Sequence, residues 1–250
     1  MTIILDNDLH GLARPRAASE WTFQEQTLAG VQFWDAVAHE VDNALLRAVG
    51  PERWTAYVEQ VFRAQQSAYF PAGADLLGIP GDASDATRCA LYHCLSTGLA
   101  GSRSRYAIES ETKAWIFYQP NIMSVASPAY RRELQLAAYR GWYVHNGPSL
   151  GNDRMVFVVT HLVADGDPYD AGYFEDTGRP VPPEDRLRFA HGSTPPPPQD
   201  RRLPELDESV WPEERRLRAL RNLVSGWAWD TSVPRRSSSA TKGRQRSVAP

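Results

Sequence analysis

Acidic and aromatic side chains crowd the stretch VADGDPYDAGYFED, residues 163–176, directly after an apolar run. Its candidates for chemistry are Asp165, Asp167, Asp170, Tyr169 and Tyr173. His161 lies four residues before Asp165, and His145 lies where a predicted helix ends. Polar groups at the ends of rigid elements are typical of functional sites, because the element aims them while the adjoining loop leaves room for a ligand.

The spacing of the three aspartates, D-x-D-x-x-D, lacks the ordered ligands and the terminal glutamate of an EF-hand. On a strand His161 and Asp165 face the same side, and together with His145 they would form a site of two histidines and one carboxylate. Aspartates in such clusters more often form turns. We therefore predict that the chain binds no cofactor, with a metal ion at these three residues as the alternative.

General acid-base catalysis requires a carboxyl or imidazole whose pKa is moved by burial or by a charged neighbour. Asp170 between Tyr169 and Tyr173 fits this requirement, with the two histidines as its proton-exchange partners. Each histidine also has a purely structural alternative. His161 would be a core residue bonded to a backbone carbonyl, and His145 would be a cation at the negative end of a helix dipole.

Three helices are predicted to precede these residues. The first follows Thr22 and Glu25, which have capping-box spacing, and ends at Gly50. Pro51 suits the first turn of the second helix, and the third begins near Asp85.

A strand and a helix lead on to the acidic stretch. Period-two alternation predicts one strand through RYAIESETKAWIFYQP, which Pro120 closes. A helix follows over SPAYRRELQLAAYRGWYVHN, with Ser127 as its N-cap and Asn146-Gly147 at its end. DRMVFVVTHLV is a second, more apolar strand, and the acidic stretch comes next.

This order of elements predicts an α+β fold that is mostly helical, with a small antiparallel sheet packed on helices. Residues 20–178 are predicted to form a single catalytic or ligand-binding domain. Residues 179–208 are rich in proline and are predicted to be a linker. Residues 209–230 contain a final helix that packs on the body or on a second subunit of a homodimer, and residues 231–250 form a disordered basic tail.

Charge disfavours nucleic acid as the partner. The formal net charge is −3, and the stretch from Thr231 onward holds five basic residues and no acid, so the rest of the chain is near −8. Phosphate binding needs concentrated lysine and arginine on the folded surface. P-loop, dinucleotide-binding, H-E-x-x-H and G-x-S-x-G motifs are absent, which disfavours the chemistries they support.

The chain contains no apolar run of 18 residues and its N-terminus lacks the features of a signal peptide, so we predict a cytoplasmic protein with no membrane partner. Its two cysteines, Cys89 and Cys94, have neither zinc-site spacing nor the pattern of a disulfide framework. We expect both to be small buried apolar residues.

The segments AIESETKAWIFYQP, HNGPSLG, RMVFVVTHLV and DGDPYDAGYFE occur in an order that resembles the L-2-amino-thiazoline-4-carboxylate hydrolase-like family, over roughly residues 30–178. Members of this family typically carry a glutamate-rich strand ending in Cys-Pro and a helix running into Asn-Pro. A further strand ends in a glycine turn that leads to a second cysteine.

Both cysteine positions of the family are changed here. Gln119-Pro120 stands where the family has Cys-Pro, and Asp170 falls on the second cysteine position. A thiolate is the natural nucleophile of such a site. The resemblance therefore implies a related scaffold with different chemistry.

We expect a cofactor-independent lyase, decarboxylase or isomerase that acts on an aromatic or cyclic small molecule. Asp170 and His145 would exchange protons with this substrate, and Gln119 would hydrogen-bond one of its oxygens. The predicted catalytic residues are Asp170, His145, Tyr169 and His161, and the predicted substrate-binding residues are Gln119, Tyr118, Tyr173, Asn146 and Trp142.

Two alternatives remain open. One is a hydrolase of a small C–N heterocycle, as in the resembled family, with a water activated by Asp170 or a nucleophile from Cys89 or Cys94. The other is a non-catalytic small-molecule-binding module, in which the proline-rich segment and the last helix report that a ligand is bound.

Overall fold

The computed structural model describes residue 19 and residues 21–99, 104–118 and 131–232. The helices are α1 (Phe23–Val49), α2 (Pro51–Leu76), α3 (Asp85–Leu99), α4 (Arg131–Gly141), α5 (Asn146–Ser149) and α6 (Glu213–Ser232). The strands are β1 (Ser104–Ser110), β2 (Lys113–Tyr118), β3 (Met155–His161), β4 (Asp170–Asp176) and β5 (Leu187–Phe189). The predicted α+β class, mostly helical with a small sheet, is confirmed.

Local sequence signals determine how α1 begins and ends. The Thr22 hydroxyl accepts a hydrogen bond from the Glu25 backbone N–H at 3.2 Å, and the Thr22 N–H donates to the Glu25 carboxylate at 2.8 Å. This is the capping box that the spacing predicted. Gly50 has a φ of 81°, which ends α1, and Pro51 then begins α2.

The sheet has the order β1-β2-β4-β3-β5, and its pairs are antiparallel except for the parallel pair β3–β5. The predicted single strand through residues 105–120 is wrong in one respect, because the chain turns at Glu111 and Thr112 and returns as β2. Ser110 pairs directly with Lys113 across this turn. The alternation of side chains continues through the turn, so the sequence pattern does not reveal it.

Two strands were not predicted. β4 lies within the acidic stretch, whose aspartates and glycines are poor strand formers. β5 lies within residues 179–208, the expected linker, and pairs with β3. The same segment bridges to β1, where Tyr106 and Arg202 exchange backbone hydrogen bonds of 2.9 and 2.7 Å. The sheet thus extends beyond residue 178.

The sheet has two buried faces. Its inner face packs on α3 and carries Ala114, Ile116, Tyr118, Met155, Phe157, Val159 and Phe174. Its outer face carries Ala107, Trp115, Phe117, Val156, Val158, Ala171 and Tyr173. α2 packs on α4, and α6 lies along α1. None of the helices in the described part of the chain has the length and apolar character needed to cross a membrane.

α2 and α4 cross at Gly141, where there is no room for a side chain. A Cβ atom at this position would lie 2.7 Å from the Phe62 Cβ atom and still closer to the Glu59 carbonyl oxygen. Gly30, inside α1, has no atom within 4 Å of the corresponding position. The two glycines therefore differ in packing and allow a matched comparison.

We predict that Gly141→Ala lowers the free energy of unfolding by about 1–3 kcal/mol, because the backbone carbonyl of α2 must move to admit a methyl group. Gly30→Ala should raise it by about 0.5–1 kcal/mol through better helix propensity. Urea denaturation followed by circular dichroism measures both. Equal effects of the two substitutions would show that α2 and α4 do not cross this closely.

Candidate functional site

A chain of buried polar side chains runs from the surface into the core. Arg63 Nη1 donates to Gln66 Oε1 at 2.5 Å, and Gln66 Nε2 donates to Asn146 Oδ1 at 3.4 Å. Asn146 Nδ2 lies 2.7 Å from His93 Nε2. Gln66 and Asn146 are fully buried and His93 is 5% exposed. We call Gln66, Asn146 and His93 the core polar chain.

Three helices place the core polar chain. Gln66 lies on the buried stripe of α2 between Phe62 and Phe70, and His93 lies on the buried face of α3. Asn146 begins α5. α5 packs so closely on β3 that a side chain at Gly147 would collide with Met155. A polar group inside a core is costly unless it is hydrogen-bonded, so these amides constrain how the three helices pack.

His93 is neutral. Its ring stacks on that of Tyr143, with centroids 3.9 Å apart, and lies nearly parallel to that of Phe174, with centroids 5.7 Å apart. Burial lowers the pKa of His93 to about 3. Because the Asn146 amide donates to Nε2, the ring proton is on Nδ1.

Tyr143, which stacks on His93, is also in contact with the rings of Tyr118 and Tyr139, and we call these three tyrosines the tyrosine cluster. The hydroxyls of Tyr118 and Tyr143 hydrogen-bond to each other, and Gln135 Nε2 donates to the Tyr139 hydroxyl at 2.7 Å. Burial raises the pKa of all three hydroxyls well above the ordinary value for tyrosine. They are therefore proton donors at neutral pH and not phenolates.

Asp170 adjoins the tyrosine cluster. It is the first residue of β4 and pairs with Tyr118, the last residue of β2. One carboxylate oxygen accepts from the Val163 N–H at 2.8 Å, and the residue is partly exposed. Its negative charge further raises the pKa of Tyr139 and Tyr143. We call Asp170 and the tyrosine cluster the sheet-end site.

Tyr169 and Tyr173 do not frame Asp170 as expected, because they contact the outer face. Tyr173 packs on Trp115, with ring centroids 4.8 Å apart, and Tyr169 lies edge-on to Phe117, with ring centroids 6.1 Å apart. Alternate residues of a strand point to opposite faces, so Asp170 shares a side with Phe174 and not with Tyr173. Asp170 instead has different tyrosines as neighbours.

His161 and Tyr169 are neighbours on the outer side of the sheet, with ring centroids 5.2 Å apart. His161 Nδ1 lies 2.9 Å from the Thr160 hydroxyl, next to an irregularity in the pairing of β3 with β4. The structure thus brings together two of the four predicted catalytic residues, but on the face opposite the tyrosine cluster.

His145 is half-buried and lies near two arginines. Burial, followed by the charges of Arg63 and Arg186, lowers its pKa to about 4, so it is neutral at pH 7. Trp142 lies between Tyr92 and His93, and its buried indole N–H has no hydrogen-bond partner among the described residues. Gln119 lies outside the described residues.

The other two aspartates of the acidic stretch stabilise its turn. Asp167 accepts from the Leu162 N–H at 2.8 Å, and Asp165 forms an ion pair with Arg132 at 2.7 Å. In the part of the chain that the structure describes, no group of three or more histidine, cysteine, aspartate or glutamate side chains is arranged to hold a metal ion.

A cleft of about 330 Å³ lies between α2 and α4, away from the sheet-end site. Its lining includes Glu52, Glu59, Glu133 and Arg140, and it contains no residue of the tyrosine cluster. Arg140 and Glu59 form an ion pair at 2.7 Å across it. The cleft is therefore an open groove between two paired helices, and it adds no acid-base group to the sheet-end site.

Sequence reasoning missed Gln66, His93, Tyr139 and Tyr143. One signal was available for His93: it lies seven residues after Ala86 and four after Cys89, so helical periodicity places it in the apolar stripe of α3. A histidine on such a stripe must be neutral and hydrogen-bonded. The partner that satisfies it, Asn146, is 53 residues away and no local pattern indicates it.

The chain matches no protein-family model, no curated protein and no solved structure. The assignment of function therefore rests on the contacts described above.

The buried state of His93 links stability to pH. Its pKa of about 3 in the folded chain is below the ordinary 6.5, so the unfolded chain binds more protons between these values. We predict that the contribution of His93 to the free energy of unfolding is fully present above pH 6.5 and falls by up to about 1.4 kcal/mol per pH unit as the pH drops toward 3. His93→Gln should make this fall less steep, as measured by denaturant unfolding near pH 7 and near pH 5.

His191→Gln is the control, because His191 is exposed, with its ring centroid 6.0 Å from that of Phe189. It should leave the pH dependence unchanged. If both variants keep the wild-type slope, His93 is not buried as a neutral group.

The two thiols should be inert in the folded chain. Cys89 and Cys94 are at most 2% exposed, and burial raises the pKa of each thiol well above its usual range. We predict that an aromatic disulfide reagent labels neither cysteine in native protein and both in denaturant, as measured by absorbance. A native thiol that reacts as fast as in the unfolded chain would contradict this and would restore the cysteine-nucleophile alternative.

Proposed function

We propose that this chain is a small-molecule enzyme that moves protons to and from an aromatic or cyclic substrate at the sheet-end site, as a lyase, decarboxylase or isomerase. One observation carries the proposal: the hydrogen-bonded hydroxyls of Tyr118 and Tyr143 stay protonated beside the carboxylate of Asp170. One hydroxyl proton is used in the bond between the two tyrosines, so the pair keeps one proton donor for a substrate, near a potential base at one end of the sheet.

The chemistry follows from the protonation states. A tyrosine with a raised pKa donates a hydrogen bond to an oxygen on which negative charge develops, and inside a protein this interaction is stronger than in water. Asp170 acts as the base that removes a proton from carbon, and it returns that proton to the product. The mechanism uses side chains alone.

His93 is a positioning residue in this proposal. Its ring stacks on that of Tyr143, with centroids 3.9 Å apart, and its Nε2 atom lies 2.7 Å from Asn146 Nδ2. A ring fixed on one face in this way cannot swing, which keeps the Tyr143 hydroxyl directed at Tyr118. His145, the other predicted proton carrier, lies instead near Arg63 and Arg186.

Asp170 is where the substrate would approach. It is partly exposed, whereas Tyr118 and Tyr139 are at most 2% exposed, so a substrate would meet the carboxylate before the hydroxyls. The rings of Tyr139 and Phe157 pack on each other in the core with centroids 4.9 Å apart, so the surroundings of the site are rich in aromatic groups, which suit an aromatic substrate.

We place the protein in the cytoplasm. Both of its cysteines are free, as expected of a protein in a reducing compartment.

We predict that Asp170→Asn lowers kcat by about a hundredfold or more, because the base is lost while the shape of the residue is kept. Tyr143→Phe should lower kcat by about a hundredfold, since one donor to the developing charge is lost but the ring stacking persists. The assay incubates the protein in deuterium oxide with carboxylated aromatics and small heterocycles, and follows carbon-bound deuterium and product by NMR.

Tyr173→Phe is the matched control, because it makes the same chemical change on the outer face of the sheet. It should leave turnover unchanged. A loss in Tyr173→Phe equal to that in Tyr143→Phe, or full activity of Asp170→Asn, would exclude the sheet-end site. Product carrying oxygen from ¹⁸O-labelled water would make the reaction a hydrolysis with water activated by Asp170.

A further inference from the structure

A second group of polar side chains, separate from the sheet-end site, lies beside α5. It consists of Arg63 on α2, His145 just before α5, and Arg186 just before β5. Gln66 links two of them, because its Oε1 atom accepts from Arg63 and its Nε2 atom donates to the His145 carbonyl at 3.3 Å. The Arg186 carbonyl is fixed by the Phe157 N–H at 2.8 Å, at the edge of the sheet.

Arg63 and Arg186 differ from the ion-paired arginines of the described residues. Each ion-paired arginine has a carboxylate oxygen within 3.9 Å, and these are Arg88, Arg132, Arg140, Arg154 and Arg218. Within residues 21–99, 104–118 and 131–232, neither Arg63 nor Arg186 forms such a pair. The groups whose charges act on the His145 imidazole are Arg63 and Arg186, both cationic. Glu59, one turn before Arg63 on α2, pairs with Arg140 instead, so two positive charges act on one imidazole in a chain of net charge −3.

Several donors of this group are not used by the fold. Arg186 spends its Nε–H on the Val181 carbonyl at 3.1 Å, and its terminal nitrogens have no partner among the described residues. Arg63 donates from Nη1 to Gln66 and Ser67, and its Nη2 has no hydrogen-bond partner among the described residues. The Ser149 hydroxyl accepts from Gln66 Nε2 at 2.9 Å, so its own proton is available.

We propose that Arg63, His145, Arg186 and Ser149 form a binding site for a small oxyanion, the chemistry shared by a phosphate monoester and a carboxylate. Two guanidinium groups match such a ligand because each presents planar, parallel N–H donors to paired oxygens. The Ser149 hydroxyl supplies a neutral donor, and a bound anion favours the imidazolium form of His145. The site does not depend on the chemistry proposed at the sheet end.

The core polar chain makes this site rigid. Gln66 is fully buried, and its amide contacts Arg63, the His145 backbone and Ser149 at once. Three of the four groups are therefore held in place before a ligand arrives, which reduces the entropy lost on binding.

Titration of the full chain with inorganic phosphate and, separately, with benzoate tests the proposal, at an ionic strength held constant with sodium chloride. Calorimetry gives the affinity, and NMR of the histidine imidazoles locates the anion. We expect saturable binding of at least one anion, with shifts of the His145 resonances. Arg186→Gln should weaken it about tenfold or more, since a charge-assisted donor is lost.

Arg218→Gln is the control, because it removes the same charge from an arginine that is paired with Glu214 on α6. It should leave the affinity unchanged. Arg63→Lys keeps the positive charge but loses the paired N–H donors of the guanidinium group, so it should weaken anion binding as well. If this lysine variant does not fold, the affinity of Arg186→Gln tests the site. Saturation by phosphate alone indicates a phosphate ester as ligand, and saturation by benzoate alone indicates a carboxylate.

Three outcomes would overturn the site. They are no saturable binding of either anion, equal weakening in Arg186→Gln and Arg218→Gln, and binding that leaves the His145 resonances in place. None of them bears on turnover at Asp170, so failure here and failure of the proposed enzyme are distinguishable.

Discussion

The hydrogen bond from the Asn146 amide to His93 is the constraint on which the rest of the core depends. From Arg63 to His93, each hydrogen bond is donated toward the core: Arg63 donates to Gln66, Gln66 to Asn146, and Asn146 to His93. Because each amide uses its oxygen toward the surface and its nitrogen toward the core, His93 must accept, and an accepting Nε2 must be unprotonated. One direction of donation thus fixes the tautomer, the charge and the placement of three helices.

A neutral His93 determines the electrostatics of the sheet-end site. A buried imidazolium would stabilise a phenolate on Tyr143, whose ring it stacks against, and would turn that residue into a base. With the imidazole neutral, burial keeps the proton on the tyrosine hydroxyls and leaves Asp170 as the negative group beside them. The tyrosine hydroxyls and the Asp170 carboxylate therefore differ in charge because their environments differ.

The sequence predicted the elements better than it predicted their contacts. Capping residues, proline positions and periodicity indicated α1, α2, α3 and β3, because these signals are local. The hairpin between β1 and β2 and the short β5 escaped, since alternation continues through the turn and three residues are too few to show a period. The tyrosine neighbours of Asp170 depend on which face of β4 points toward the core. The packing of Phe174 in the core determines that face, and the residues adjacent to Asp170 in the sequence do not reveal it.

The outer face shows why a proline-rich segment can belong to the fold. The Arg201 guanidinium lies 4.2 Å from the Phe117 ring centroid and 5.2 Å from that of Tyr169, and its Nε–H donates to the Pro196 carbonyl at 3.0 Å. Proline residues lose little backbone entropy when such a contact orders them, because their φ is already restricted. A cation over two rings, worth about 0.5–2 kcal/mol, therefore adds to the pairing of β5 with β3 and to the Tyr106–Arg202 bridge in holding this segment on the sheet. Tyr169, which the sequence predicts as a catalytic residue, is one of the two rings that this cation contacts.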